Sequence, residues 1–382
     1  MNFQGINKIL VIKLRHIGDV LLSVPVFRAL RENFPQAHIA ALVNAGTEEV
    51  LTGNPLIGEV IVFNRNIKKM NPLQRCLQEL FFIRNIRKQG FALTVDLTSG
   101  DRAGIISFLS GAKYRLAYNP DPGGFWGKKY LYTHFAQKDG NQHMVLQNLD
   151  VVRQFGINTN NLAVDLFIPE EARFFVIKLF EDNNISERDT VVHVHPTSRW
   201  LFKCWKDESM AEVITWLMEQ GIKVIMTSSP DQKEIERARE ILSLVAHLAM
   251  PPPHLLDLCG RTNLKQLAAV SAAADLFLGV DSAPMHIAAA VGTPVIALFG
   301  PSHAYRWAPW SNDVSFPRTR EDFAQHYRNG NYYLGNHVIV QRQWECFPCG
   351  KDGCNGSKIS KCIEDISAQE VKKLLLEKLP KK

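Results

Sequence analysis

The chain has 382 residues, 46% apolar and 21% charged, and its 44 Lys and Arg against 38 Asp and Glu leave a formal net charge of +6. That length allows two domains, and that composition belongs to globular rather than disordered or fibrous chains. No apolar run reaches the roughly eighteen residues of a membrane span, and the basic residues form no single tract, which argues against nucleic acid as a partner.

The N-terminal stretch MNFQGINKILVIKL lacks signal-peptide form: Lys8 touches a short strand-like run and no small-residue cleavage site follows, so a cytoplasmic location is expected. Lys8–Leu14 reads as a strand. Val20–Phe34 has helical periodicity, with Pro25 bending it or marking a late start. His38–Val43 and Glu59–Phe63 are strands, Leu73–Lys88 an amphipathic helix and Phe91–Leu97 a strand. Arg102–Leu109 suits a short helix, Tyr114–Tyr118 a strand, and His143–Phe155 a helix. Pro and Gly make Asn119–Gly127 a loop. The pattern breaks around Gly156–Pro169, which sets a domain boundary between residues 165 and 166.

A second alternation follows. Thr190–Val194 and Lys223–Thr227 are strands; Asp207–Gln220, Asp231–Leu244 and Asn263–Ala274 are helices. Asp275–Pro301 then reads as a strand, a helix and a strand. Asp281 and Ser282 cap that helix, Pro284 sits in its first turn and Gly292 ends it. Ser302–Gln343 is irregular, and Ser367–Leu379 is a closing helix. The alternation predicts an α/β chain with two parallel-sheet domains in tandem.

Ligands of open α/β sheets bind beyond the carboxyl ends of strands. Asp19, after the first strand, stands where a working carboxylate would stand, or caps the helix that follows. Arg15 is an anion ligand or a solvated charge, and His16 is structural or exposed. Thr197, Ser198 and Lys203 follow another strand; their hydroxyls and ammonium suit a diphosphate, or form an ordinary polar loop. Glu234 and Glu236 lie in the first two turns of a helix, where a carboxylate accepts ribose hydroxyls or merely complements the dipole. The helix start at Asp281, Ser282, Ala283, Pro284, Met285 and His286 favours a phosphate, with plain α/β core as the alternative. No GxGxxG, P-loop or GxSxG motif occurs in the required context.

Cys76, Cys204 and Cys259 read as reduced core or near-core thiols. Cys346, Cys349, Cys354 and Cys362 have the spacing C-x2-C-x4-C-x7-C, which suggests a structural tetrahedral zinc. Reduced thiols or a disulfide pair are the alternatives.

Four segments in this order and spacing are informative together: KILVIKLRHIGDVLLSVPVFRALRENFP, VHPTSRWLFKCW, SSPDQKEIERA and LGVDSAPMHIAAAVGTPVIALFGPS. They resemble glycosyltransferase family 9, the heptosyltransferases of lipopolysaccharide core synthesis, over nearly the whole chain. VHPTSRWLFKCW and CGKDGCNGSK look most like the branch-adding third core heptosyltransferases. The resemblance implies a GT-B fold, two Rossmann-like parallel-sheet domains facing a central cleft. It puts the acceptor on residues 1–165 and the nucleotide-sugar on 166–362, with the closing helix at 363–382 returning to the N-terminal domain.

The implied reaction is inverting, metal-independent transfer of L-glycero-D-manno-heptose from ADP-heptose to the heptose region of the inner core, adding the branch heptose. The first or second heptosyltransferase step and a non-catalytic nucleotide-sugar binder are the alternatives. Asp19 matches the family's proposed base. Thr197, Ser198 and Lys203 match donor-contacting positions, although the loop before Lys203 is one residue longer than in the first heptosyltransferase. Asp281 and Ser282–His286 match the donor-binding turn, and the ribose-contacting Glu matches Glu234 or Glu236, with Glu234 preferred. Such a transfer needs one base for the acceptor hydroxyl and cationic or dipolar groups for the departing ADP; no cofactor is required for catalysis. A phosphorylated, lipid-linked acceptor implies basic residues, with Arg65, Lys68, Lys69, Lys128 and Lys129 as candidates, and peripheral contact with the cytoplasmic face of the inner membrane.

Overall fold

Strand β1 (Lys8–Lys13) is buried along all but its first residue. An apolar run of this kind fits the middle of a sheet covered on both faces. It pairs in parallel with β2 (His38–Asn44) on one side and β4 (Leu93–Asp96) on the other. β3 (Glu59–Phe63), β5 (Tyr114–Tyr118) and β6 (His134–Ala136) complete a six-stranded parallel sheet of order β3-β2-β1-β4-β5-β6. The computed structural model describes residues 3–65, 71–119, 127–248, 255–312, 319–347 and 349–380. Its chain divides into two units, Met1–Phe167 and Ile168–Lys382.

In the first unit the helix expected over Val20–Phe34 is two helices, α1 (Ile17–Leu21) and α2 (Val24–Asn33). Pro25 lies in the first turn of α2, where its missing N–H costs no intrahelical bond. The late start is therefore the outcome. α3 (Pro72–Lys88) begins at Asn71, whose side chain accepts from the Gln74 amide at 2.9 Å. Its burial departs from the expected amphipathic pattern: only Ile86 is buried, while Leu73, Leu77, Leu80 and Phe81 are exposed. α4 (Asp101–Leu109) and α5 (Met144–Arg153) complete the unit.

The second unit opens with α6 (Glu170–Asp182), absent from the sequence expectations because Pro169 reads as part of the boundary. There follow β7 (Val191–His195), α7 (Asp207–Glu219), β8 (Lys223–Ser228), α8 (Gln232–Leu248), β9 (Leu255–Cys259) and α9 (Leu264–Ala273). β10 (Leu276–Val280), α10 (Ala283–Ala290) and β11 (Val295–Phe299) form the strand–helix–strand expected from Asp275–Pro301.

Ser302–Gln343 is more regular than expected. It holds α11 (Ala304–Trp307), α12 (Arg320–Gln325), β12 (Tyr327–Arg328), β13 (Asn331–Leu334) and β14 (His337–Gln341). β13 and β14 form an antiparallel hairpin, and β14 lies parallel to β11. The sheet order is β12-β13-β14-β11-β10-β7-β8-β9.

After the short α13 (Lys361–Glu364), α14 (Ala368–Lys378) starts with a capping box between Ser367 and Glu370. Val371, Leu374 and Leu375 are buried in the second unit's own core, beside α7. Ile363 and Ile366 belong to the same core. Residues of this closing stretch thus pack into the core of the second unit.

Candidate active site

Both sheets reverse their winding once. In the second unit the chain steps from β7 outward through β8 and β9, then restarts at β10 and winds the other way through β11 and β14. The gap between β7 and β10, at their carboxyl ends, is the crevice where such sheets bind ligands. β7 ends at His195 and delivers Thr197 and Ser198; β10 ends at Val280 and delivers Asp281 and Ser282.

The side chains meet in two pairs. Thr197 Oγ1 donates to Glu234 Oε2 at 2.8 Å, and both residues are buried. Lys203 Nζ donates to Asp281 Oδ2 at 2.6 Å. Ser282 stands at the cap position of α10, yet its hydroxyl makes no cap bond and, among the described residues, is a buried oxygen with no hydrogen-bond partner. The first amides of α10 have no intrahelical acceptor, and the helix dipole adds positive potential there. A hydroxyl without a partner, the first amides of a helix and a lysine ammonium held beside them by Asp281 are chemically suited to a diphosphate.

Other predicted positions divide. Glu236 points to solvent and accepts from Gln232 at 2.8 Å, whereas Glu234 reaches Thr197. Ser198 Oγ accepts from the Trp200 amide at 3.3 Å. Ala283 and Pro284 are half-buried, and the Met285 and His286 side chains are buried; from these the turn offers backbone rather than the Met285 side chain.

Behind the loop, Thr227 Oγ1 lies 2.8 Å from both His195 Nδ1 and His193 Nε2, and His193 Nδ1 lies 2.9 Å from Ser271 Oγ. Burial pushes His195 down to about 3 and His193 well below the usual histidine range. Both are neutral props at physiological pH. Gly279 faces His195 in the strand register, and a Cβ there would come within 2.8 Å of the His195 carbonyl oxygen.

In the first unit the winding reverses between β1 and β4. The carboxyl end of β1 leads through Arg15 to Asp19, and that of β4 to Asp96, Thr98 and Ser99. His16 takes the cap position of α1, so Asp19 sits in the first turn rather than as the cap. Among the described residues no hydrogen bond or salt bridge engages its carboxylate; its electrostatic neighbour is Lys13.

Sequence reasoning missed Lys13, whose charge at the end of an apolar strand was the available signal. It is 3% exposed, and its Nζ donates to the Leu97 carbonyl at 3.0 Å and to Asn148 Oδ1 at 2.8 Å. Burial lowers its pKa to about 8, against the opposing pull of Asp19. Asp96 is fully buried and shifted up by that burial, although it accepts from the Thr98 and Ser99 amides and from Tyr132.

A basic rim surrounds this end. Arg15 donates to the Thr98 carbonyl at 3.0 Å, Lys128 to the Ser99 carbonyl at 2.9 Å, and Arg65 Nε to Asn44 Oδ1 at 2.9 Å. Asn44 in turn donates to the Arg15 carbonyl. Ser99, gripped by Lys128, has a left-handed φ of 56°, the kind of strain that concentrates at functional loops. Lys129 stands off this rim over the Tyr130 ring. Lys68 and Lys69 lie outside the described residues.

Nothing among the described residues supports the zinc expectation. Among the described residues no group of three or more His, Cys, Asp or Glu is arranged to hold a metal ion, and all seven cysteines are free thiols. Cys346 is exposed while Cys362 is buried, its thiol pushed up to about 11 by that burial and, less, by Cys354 and Cys349. A cavity of about 320 Å³ lies at the far end of α10, lined by Ala289, Gly292, Asn336 and His337 among others, and gathers none of the predicted residues.

The sequence profile of glycosyltransferase family 9 (heptosyltransferase) matches residues 80–331. Lipopolysaccharide heptosyltransferase 3 of Escherichia coli is 31% identical over 303 residues, 79% of this chain and 86% of that protein. Among solved structures, Escherichia coli ADP-heptose lipopolysaccharide heptosyltransferase II superposes with a TM-score of 0.73 at 20% identity, covering 97% of this chain and 98% of that one. Escherichia coli heptosyltransferase WaaC, solved with ADP, gives 0.70 at 15% identity over 97% and 99%. The two parallel α/β sheets are those of the GT-B heptosyltransferase structures. The chain belongs to glycosyltransferase family 9 and is a glycosyltransferase of the heptosyltransferase type.

Proposed function

We propose that this enzyme transfers L-glycero-D-manno-heptose from ADP-heptose to the heptose region of the lipopolysaccharide inner core, with inversion and without a metal, adding the branch heptose. The observation that carries the donor half is the cluster of Lys203, Asp281 and the unsatisfied Ser282 hydroxyl at the start of α10. The similarity to a relative named heptosyltransferase 3 supports the branch-adding step.

In this reading the second unit binds the donor. The α10 amides, Ser282 Oγ and Lys203 take the diphosphate, and Thr197 with Glu234 takes the ribose side. The first unit binds the acceptor, with Arg15, Arg65 and Lys128 facing its phosphates. Asp19 removes the proton from the acceptor hydroxyl as that oxygen bonds the anomeric carbon and the bond to ADP breaks. Charge growing on the departing diphosphate meets groups already in place, each worth about 2–4 kcal/mol of barrier. The domain roles, 1–165 for acceptor and from 166 onward for donor, belong to this proposal. So does a place at the cytoplasmic face of the inner membrane. Among the described residues no helix is long and apolar enough to cross a membrane.

Mass spectrometry of the lipopolysaccharide core from a deletion strain tests the step. Loss of the single branch heptose is the expected result. A core cut before its second heptose would reassign the enzyme to an earlier step, and an unaltered core would overturn the reading.

A further inference from the structure

α3 carries two apolar stripes. Phe82, Ile83 and Ile86 face the core of the first unit, with Phe82 edge-on to Phe63 at 5.3 Å. Leu73, Leu77, Leu80 and Phe81 face water, at 72%, 59%, 60% and 62% exposure. At about 100° per residue, these four and the exposed Cys76 share one arc of the helix surface. Arg84, Arg87 and Lys88, all exposed, continue that arc to the C-terminal end. The helix's one acid, Glu79, sits on the other side and pairs with Arg75 and, on α4, with Arg102. α4 also exposes Ile105 and Phe108.

The inward stripe already docks the helix, so four large apolar side chains in water need a separate reason. The charge pattern selects one occupant. A second copy packed arc to arc would set three cations against like charges or leucines. Lipid phosphates above an acyl layer satisfy both halves of the arc.

We propose that the outward arc of α3 is the docking surface for an anionic phospholipid bilayer. Leu73, Leu77, Leu80 and Phe81 enter the boundary between headgroups and acyl chains, and Arg84, Arg87 and Lys88 meet phosphates. This deepens the peripheral-membrane part of the reading above and is independent of which sugar is transferred.

The test is co-sedimentation of the full chain with phosphatidylcholine vesicles with and without phosphatidylglycerol. Wild type binds the anionic vesicles, and added salt weakens binding. Arg84→Gln with Arg87→Gln and Lys88→Gln binds about a hundredfold more weakly. Leu77→Gln with Leu80→Gln and Phe81→Gln loses at least about tenfold. Both variants melt with wild type, because the replaced side chains are exposed, and keep turnover on a delipidated acceptor. Failure of turnover in wild type would count against the sugar transfer and leave the docking claim standing. Absence of wild-type binding, equal binding by the variants, or a concentration-dependent dimer that the substitutions dissolve would overturn the docking surface.

Discussion

Lys203 Nζ lies 2.6 Å from Asp281 Oδ2, one residue before the cap of α10, so the cation proposed to bind the diphosphate is held on a carboxylate. The Asp281 side chain is 6% exposed and that of Lys203 20%. Lys203→Ala therefore leaves a nearly buried charge unpaired and should lower stability by roughly 3 kcal/mol. It should also slow transfer by about a hundredfold or more. Adding Asp281→Ala should recover part of the stability and none of the rate. Denaturant titration beside initial rates separates the two effects, and recovery of rate in the double variant would count against a role for Lys203 at the donor.

Asp19→Ala should leave ADP-heptose affinity within about twofold, because Asp19 belongs to the first unit's site. It should lower kcat by about a hundredfold or more through loss of the proposed general base. Calorimetry of donor binding with steady-state rates checks both halves. Near-normal turnover would refute the assignment of the base.

Lys13 sets a pH dependence whose sign follows from its depressed pKa, about 8 against 10.5. Between those values the unfolded chain holds more protons than the folded one, so the Lys13 contribution to stability rises with pH. The burial cost is fully present below about pH 8 and is relieved as pH climbs toward 10.5, by up to about 3 kcal/mol. Comparing wild type with Lys13→Met at pH 7 and pH 10 should show wild type gaining on the variant at the higher pH. A gap that stays constant or moves the other way would contradict a charged, buried Lys13.

Gly279→Ala should destabilise the second unit by about 1–3 kcal/mol, since the added carbon meets the His195 carbonyl and the Phe277 ring within the β7–β10 pair. A thermal melt within a degree of wild type would show that the strands part freely there.

Much of the fold was legible because apolar strands and capped helices announce themselves locally. KILVIK and LFLGV read as strands, and DSAP as a helix start, before any contact is known. β14 was overlooked although HVIVQ is a strand-like run, because scattered aromatics and basic residues around it masked the alternation. At the site, sequence placed Asp19, Thr197, Lys203 and Asp281 at strand ends. The Thr197–Glu234 and Lys203–Asp281 pairs join residues 37 and 78 positions apart, and only sheet order brings them together. Lys13 escaped notice for the same reason, since its partners Leu97 and Asn148 come from distant strands and helices. For α3 the sequence shows an amphipathic helix but not which apolar residues pack inward, because periodicity reports a face and not what covers it.

The most direct measurement is mass analysis of an inner-core acceptor after incubation with the purified enzyme and ADP-heptose in a metal chelator. One added heptose is expected with wild type and none with Asp19→Ala or Lys203→Ala. No product from wild type, or equal product from Asp19→Ala, would contradict the proposed transfer.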